Sequence, residues 1–295
     1  MSSICCFGET LWDIFPNEKK IGGAPLNVAC RLNSLGSEVH LISRVGKDFN
    51  GQQILKYLKD HGLSLDTIQI DEENPTGIVN VYLDDSNTAS YTIEKPAAWD
   101  HISLDDTMLD KVKSSDALIF GSLVCREQIS KNTLFSLLDI ATFKVFDANL
   151  RPPNYSLELI LELIKKSDFI KFNDEELREI CDYVHINSAE LEQQILEVSE
   201  FSGCKNICVT LGKDGAILLS EGQIYKNSGY VVKVKDTVGA GDSFLATLIH
   251  QLLMQKAPQD ALDYSCAMGS LVASKTGANE PIEVEEIQEV LKTKN

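Results

Sequence analysis

One stretch of the chain concentrates groups suited to chemistry on an anion: Asp236-Thr237-Val238-Gly239-Ala240-Gly241-Asp242-Ser243-Phe244. It follows a strand-like segment and opens an amphipathic helix with Phe244, Leu248 and Leu252 on one face. Gly239 and Gly241 allow a tight turn, so successive N–H groups at the helix start can point at one anion, with the positive dipole end behind them. Such a nest suits the charge that develops on a transferring phosphoryl group. Asp242 repels a bound phosphate in that place unless it has a task, and taking a proton from a hydroxyl is the natural one. Taken alone, the stretch also reads as a capped helix after a glycine turn. Two other phosphate loops are excluded. Phe244 or Leu245 stands where a Gly-x-Gly-x-x-Gly loop needs its third glycine, and Gly46-Lys47 is followed by Asp48 rather than Ser or Thr.

A second stretch, Gly22-Gly23-Ala24-Pro25-Leu26-Asn27-Val28-Ala29, precedes a helix with Ala29, Leu32 and Leu35 turned inward. Adjacent glycines admit a ligand close to the backbone, and Asn27 offers both a donor and an acceptor to a sugar hydroxyl. A glycine turn with a helix-start asparagine is the plainer account of these residues by themselves.

The elements that must hold these residues alternate. Ile4–Gly8, Val39–Ser43, Ala117–Gly121, Lys144–Asp147, Phe169–Phe172 and Ile207–Leu211 read as strands, with helical periodicity between them. Leu157, Ile160, Leu161 and Ile164 mark one helix; Leu191, Ile195 and Val198 mark another, with Asn187 and Glu190 as its capping pair. The pattern predicts an α/β fold built on a mostly parallel sheet. Leu65–Ile70, Gly77–Leu83 and Ala89–Glu94 lack intervening helices, and Asp84–Asn87 reads as a tight turn. With Leu11–Ile21 they predict a small antiparallel sheet, spanning about 11–21 and 65–98, set as a lid on the core. Ala216–Leu219, Ile224–Lys226 and Val231–Val234 predict a meander, and Lys292–Asn295 a frayed end.

Composition bounds the partners. The 295 residues carry 27 Lys+Arg against 44 Asp+Glu, a formal charge of −17, which argues against nucleic acid and anionic membranes. Ala117–Cys125 is among the longest apolar runs and is far short of a membrane span. Met1–Ile14 has no basic region and carries Glu9 and Asp13, unlike a signal peptide. Eight cysteines without metal-ligand spacing predict free thiols in a reducing cytoplasm. The length reads as one α/β unit with an inserted lid rather than two domains.

Taken together, Gly22–Ala29 with Gly36 and Gly46 beyond it, and Asp236–Phe244, resemble the paired signatures of the ribokinase-like (phosphofructokinase B) family of carbohydrate kinases, in order and separation, over nearly the whole chain. The resemblance implies a three-layer ribokinase-like fold with a lid sheet and transfer of the ATP γ-phosphoryl group to a sugar hydroxyl. By its motifs Asp242 is the base, and the amides of Gly239, Ala240 and Gly241 form the anion hole. Asp13, Gly23 and Asn27 match sugar contacts. Asn173 and Glu176, in Asn173-Asp174-Glu175-Glu176, match the Asn-x-x-Glu element that organises Mg²⁺ and phosphate, mostly through water. Thr210, Gly212 and Gly215 match the strand-turn that holds the nucleotide. Gly277 and Ala278 match the loop beside the adenine and a monovalent-cation (K⁺) site. Cys266 departs from the helix asparagine that many relatives carry near the adenine.

For the sugar, Gly8–Asp13, Ala97-Ala98-Trp99-Asp100 and Asp147-Ala148-Asn149-Leu150-Arg151 are most similar to the fructokinase branch. Fructose is therefore the expected substrate, with ribose and 2-keto-3-deoxygluconate as alternatives, and a nucleoside kinase or a catalytically silent sugar-binding protein ranking behind them. Trp12 and Trp99 are candidate faces for a sugar ring. Asn149 and Arg151 are placed beside it, and Arg151, assisted by Lys95, keeps an anionic sugar open. The lid's exposed edges predict a homodimer.

Overall fold

In β1 (Ser3–Phe7), Ile4 and Cys6 face one way and Cys5 and Phe7 the other, and all four are fully buried. A strand buried on both faces needs helices on both sides, as parallel sheets require. The computed structural model describes residues 2–83 and 89–293.

From β1 the chain runs through β2 (Leu11–Ile14), β3 (Lys19–Gly22), α1 (Ala24–Ser34), β4 (Glu38–Gly46), α2 (Phe49–Asp60) and β5 (Ile68–Asp71). β6 (Gly77–Leu83) and β7 (Ala89–Ile93) precede α3 (Asp106–Ser114) and β8 (Ala117–Gly121). Alternation then resumes with α4 (Gln128–Leu138), β9 (Lys144–Asp147), α5 (Leu157–Lys165), β10 (Phe169–Asn173), α6 (Asp174–Tyr183), α7 (Leu191–Ser202) and β11 (Asn206–Thr210). A hairpin of β12 (Ala216–Ser220) and β13 (Gln223–Asn227) leads to α8 (Ala240–Leu253), α9 (Pro258–Ser274) and α10 (Val284–Lys292).

The large sheet has the order β13-β12-β11-β10-β9-β8-β1-β4-β5 and is parallel from β11 to β5, with an antiparallel hairpin at one edge. One core lies between this sheet and α1, α2, α8 and α9; the other lies between its opposite face and α3 to α7. This is the expected three-layer arrangement. The chain leaves β1 toward β4 and later returns on its other side as β8, so the winding direction reverses at β1. In such sheets the crevice at the carboxyl ends beside the reversal is where ligands bind.

A separate four-stranded sheet, β3-β2-β6-β7, stands apart from the large one. Four expectations need correction. The small sheet is mixed rather than antiparallel: β2 pairs in parallel with β6, with Leu11 opposite Gly77, and only β2–β3 and β6–β7 are antiparallel. Leu65–Ile70 does not join the small sheet: β5 pairs in parallel with β4, with Ser43 opposite Ile68, because a crossover through α2 returns it to the main sheet. Val231–Val234 forms no strand, and Val231 and Val234 are exposed. Asn187 does not cap α7; its amide donates to His185 O at 3.0 Å, and Glu190 occupies the cap position without a side-chain bond. The turn read at Asp84–Asn87 lies outside the described residues, as do 294–295 of the expected frayed end.

Candidate active site

The carboxyl ends of β1, β9, β10 and β11 deliver Glu9, Asp147 to Arg151, Asn173 and Thr210 to one edge of the sheet. The start of α8 meets them there. Gly239 is the N-cap residue of α8, at φ +76°, and a Cβ added to it would run into Ala278. Glycine is therefore what lets the turn close against residue 278. Among the described residues the N–H groups of Gly239, Gly241 and Asp242 meet no backbone carbonyl, whereas Ala240 N–H donates to Thr237 O at 3.2 Å. Of the expected trio, Ala240 N–H is engaged within the turn, whereas those of Gly239 and Gly241, and that of Asp242 next to them, meet no backbone carbonyl.

Asp242 Oδ2 accepts a 2.8 Å bond from Asn27 Nδ2. Burial and the neighbouring Asp147 carboxylate push the Asp242 pKa up to about 6, against the pull of Asn27, Lys171 and Arg151. Lys171, 7% exposed, donates to Asp147 Oδ1 at 2.7 Å. Burial would depress it, but Asp147 and Glu176 outweigh that effect and hold its pKa above the ordinary lysine range. The site therefore sets a carboxyl group of near-neutral acidity beside a buried cation.

On the other wall, Asp13 and Glu9 face Asp242 and Arg151. Burial raises Asp13 to about 6 and Glu9 to about 7, and Arg151 works against both shifts. Gly22 leaves room for the Asp13 carboxylate, and Gly23, at φ +112°, packs where a side chain would strike the Glu9 carbonyl. Asn149 holds a left-handed conformation at φ +38°, turning the chain after β9. Arg151 is exposed; its guanidinium makes one 3.4 Å bond, to Leu150 O, and no ion pair among the described residues. Lys20, opposite Asp13 in the β2–β3 pair, lies 3.5 Å from Asp236 and ties the small sheet to the turn before Gly239.

Two aromatic expectations fail. Trp99 is fully buried, with Arg126 stacked 3.9 Å from its ring and Gly77 against its edge, so no face is left for a sugar. Trp12 turns to the side of β2 opposite Asp13, donating to Asn50 O at 3.1 Å beneath Lys19. Lys95 pairs with Glu127 at 2.9 Å instead of assisting Arg151. Asn27, placed at the sugar by sequence, has its two polar atoms engaged by Asp242 and Asn279.

Beside the α8 start opens a cavity of about 700 Å³ lined by Thr210, Gly212, Gly215, Gly241, Phe244 and Cys266, among others. Its size and mixed lining suit a nucleotide. Cys266 does stand in that wall. Gly277 and Ala278 do not line it; Ala278 packs against Gly239 instead. Asn173 caps α6 reciprocally with Glu176: Asn173 Oδ1 accepts from Glu176 N–H and Glu176 Oε2 from Asn173 N–H, both at 2.8 Å. Glu176 Oε1 accepts from Leu150 N–H at 2.9 Å. Each carboxylate oxygen keeps a free lone pair, but the described residues contain no group of three His, Cys, Asp or Glu side chains able to cage a metal. That donor set fits Mg²⁺, which keeps its waters and arrives with phosphates.

Sequence reasoning passed over Lys171, Glu9 and Arg31. Lys171 was visible as a lone cation in an otherwise apolar strand, Phe169–Asn173. Glu9 sat within a quoted motif without a role. Arg31 looked like an ordinary helix-end cation, yet it is 3% exposed and its guanidinium reaches Ser243 Oγ, Ala278 O and Glu280 O.

Comparison with known proteins bears on the family and the fold. The pattern of the pfkB family carbohydrate kinases matches residues 1–285. An uncharacterized sugar kinase from Pyrococcus horikoshii is 30% identical over 255 residues, 83% of this chain and 77% of that one. A fructokinase from Solanum tuberosum is 26% identical, covering 93% and 91%. The structure of a fructokinase from Vibrio cholerae with fructose, ADP and calcium ion superposes with a TM-score of 0.85 at 25% identity, covering 99% of each chain. No helix among the described residues is long and apolar enough to cross a membrane. A matched pattern running through both glycine stretches, and a fold shared from end to end, lead to one conclusion: the chain belongs to the pfkB family of carbohydrate kinases.

Proposed function

We propose that this protein phosphorylates a primary hydroxyl of a ketose with ATP, and that the ketose is fructose. The observation that carries the reading is the position of Asp242: its carboxylate stands at the free-amide start of α8, between the nucleotide-sized cavity and the wall of Asp13, Glu9 and Arg151. Asp13 accepts sugar hydroxyls, with Gly23 bringing the backbone close and Asn149 and Arg151 closing the far side. Asp242 takes the proton from the acceptor hydroxyl as its oxygen attacks the γ-phosphorus, and the bond to ADP breaks. The amides of Gly239, Gly241 and Asp242, with Lys171 behind them, receive the charge that spreads over the transferring group. Glu176 and Asn173 would hold Mg²⁺ through water, and the ion would neutralise part of that same charge. Thr210, Gly212 and Gly215 hold the nucleotide. The loop of Gly277 and Ala278 is where K⁺ would act.

The residues 1–295 act as one kinase domain, with the small sheet as a lid that excludes water from the transfer. The fructokinase relatives support fructose. A second reading has its own support: the unpaired Arg151 guanidinium suits a carboxylate-bearing sugar such as 2-keto-3-deoxygluconate. The free, buried cysteines support a reducing cytoplasm. The edges β3 and β7 of the small sheet support a homodimer, which a monomeric mass by light scattering at micromolar concentration would refute. The deciding experiment is a panel of fructose, ribose, 2-keto-3-deoxygluconate and adenosine with ATP and Mg²⁺, reading ADP release. Fructose should give the highest kcat/KM; a higher value for the acid sugar transfers the assignment to the second reading.

A further inference from the structure

Behind the carboxylate of Asp242 lies a chain of amides that the phosphoryl-transfer scheme leaves unused. Asn27 Nδ2 donates to Asp242 Oδ2 at 2.8 Å, and Asn279 Nδ2 donates to Asn27 Oδ1 at 3.0 Å. An asparagine amide carries its acceptor on one side and its donors on the other, so the group that occupies the acceptor decides where the donors point. We propose that Asn279 is a positioning residue: by occupying Asn27 Oδ1 it fixes the Asn27 amide so that an N–H, never the carbonyl, faces Asp242.

The surroundings of Asn279 are built to keep it there. Arg31 lies one helical turn beyond Asn27 on α1. Its Nη2 donates to Ala278 O at 3.4 Å and Glu280 O at 3.0 Å, the carbonyls on either side of Asn279. Its Nε donates to Ser243 Oγ at 3.1 Å, next to Asp242 in the chain. One guanidinium thus locks the two ends of the relay together. The Asn279 amide also meets the Tyr57 hydroxyl. Its own Oδ1 is buried without a hydrogen-bond partner, so its contribution lies on its donor side, toward Asn27.

The consequence is electrostatic. A carbonyl oxygen turned toward Asp242 would disfavour the ionised carboxylate that the base role needs, whereas the N–H favours it. Asp147 at the end of β9, Lys171 on β10, Arg151 in the loop after β9, Glu9 after β1 and Asp13 on β2 also bear on Asp242. A neutral substitution at 279 leaves all of these in place, so the effect can be isolated.

The inference rests on Asp242 as base for its catalytic meaning, but its test does not need turnover. Asn279→Leu is near-isosteric and has neither donor nor acceptor. The Asp242 carboxyl is followed by ¹³C NMR titration of the ligand-free protein, with Asp242→Asn identifying its resonance. Asn279→Leu should raise the Asp242 midpoint by about half a unit to one unit. It should add nothing when Asn27→Ala has already removed the amide, as a residue acting through Asn27 must. An unmoved midpoint with lowered thermal stability would reduce Asn279 to packing and overturn the proposal. An equal shift in the Asn27→Ala background would also overturn it, by showing another route. Asn279→Ala gives the same readout if the leucine variant does not fold. Full turnover by Asp242→Asn would remove the base reading, while the titration would still decide the amide orientation.

Discussion

Lys171 and Asp147 form a buried ion pair, 2.7 Å between Nζ and Oδ1, at the carboxyl ends of the adjacent strands β10 and β9. The side chains are 8% and 5% exposed. Glu176 and Asp242 face the same ammonium, so three carboxylates share one cation. The Asp147 Oδ2 atom has no hydrogen-bond partner. The pair is therefore a poor source of stability and a good source of fixed positive charge beside the α8 amides.

This arrangement predicts strong coupling. Lys171→Met strands the buried carboxylates of Asp147 and Glu176 beside the half-buried Asp242, and should cost about 3–5 kcal/mol of stability in urea unfolding. Asp147→Asn alone should also destabilise, by leaving the ammonium short of a partner. The double variant should be less damaged than the sum of the singles by about 2 kcal/mol. Additivity within about 0.5 kcal/mol would show that the two groups do not act as a pair. Lys171→Met should also lower kcat, because the charge behind the transferring group is gone.

Asp242→Asn should lower kcat by about 10²-fold or more while sugar and nucleotide still bind, measured by steady-state kinetics and calorimetry. Near-normal turnover would remove Asp242 from the base role. In the wild-type protein burial raises the Asp242 pKa to about 6. The base works deprotonated, so kcat/KM, which reports the free enzyme, should be on its plateau above that pH and fall as pH drops through it. Asp13, also raised to about 6, sharpens the same limb in kcat/KM.

Glu9 makes a prediction of opposite sign to that of most carboxylates. Burial lifts its pKa from 4.5 to about 7, and Oε2 lacks a partner. Between those two values the folded chain holds a proton that the unfolded chain releases, so this group favours the native state at low pH and loses that favour as pH rises through about 7. Glu9→Gln removes the loss. It should stabilise the ligand-free protein at pH 8 by on the order of 2 kcal/mol, with the gain vanishing near pH 4. Thermal unfolding across that range measures it. A variant equally stable or weaker at pH 8 would mean that Glu9 is held ionised by Arg151.

How far the chain could be read in advance depended on whether a signal was local. The continuous apolar run Ile4–Phe7 and the glycine pair at Gly239 and Gly241 are properties of short segments, and strand, turn and helix start followed from them. Long-range choices were not encoded that way. Leu65–Ile70 has the same alternation in either sheet, and only the crossover through α2 assigns it to β4. Trp99 is aromatic in any reading, but its burial depends on Arg126, whose guanidinium stacks on the ring and pairs with Asp100 at 2.6 Å. Lys171 and Arg31 carry no motif; their roles exist because β9, α8 and the 278–280 segment converge on them. Asn27 stands in a legible motif, yet its partner 215 positions away could not be named from its neighbours.

The last prediction separates two glycines that face each other's loops. Gly239 and Gly277 both hold positive φ, +76° and +106°, so alanine at either is strained by about 1–2 kcal/mol. Their surroundings differ. A Cβ at 239 would strike the backbone and side chain of Ala278, whereas a Cβ at 277 would meet nothing within 4 Å. Gly239→Ala must therefore push the turn away from residue 278 and carry the Gly239, Gly241 and Asp242 amides with it. It should lower kcat by about 10²-fold, the usual effect of losing one such donor, with sugar affinity retained. Gly277→Ala should lose stability and lower kcat far less than Gly239→Ala does. Equal losses of kcat in the two variants would show that backbone strain, not the contact with Ala278, shapes the anion site.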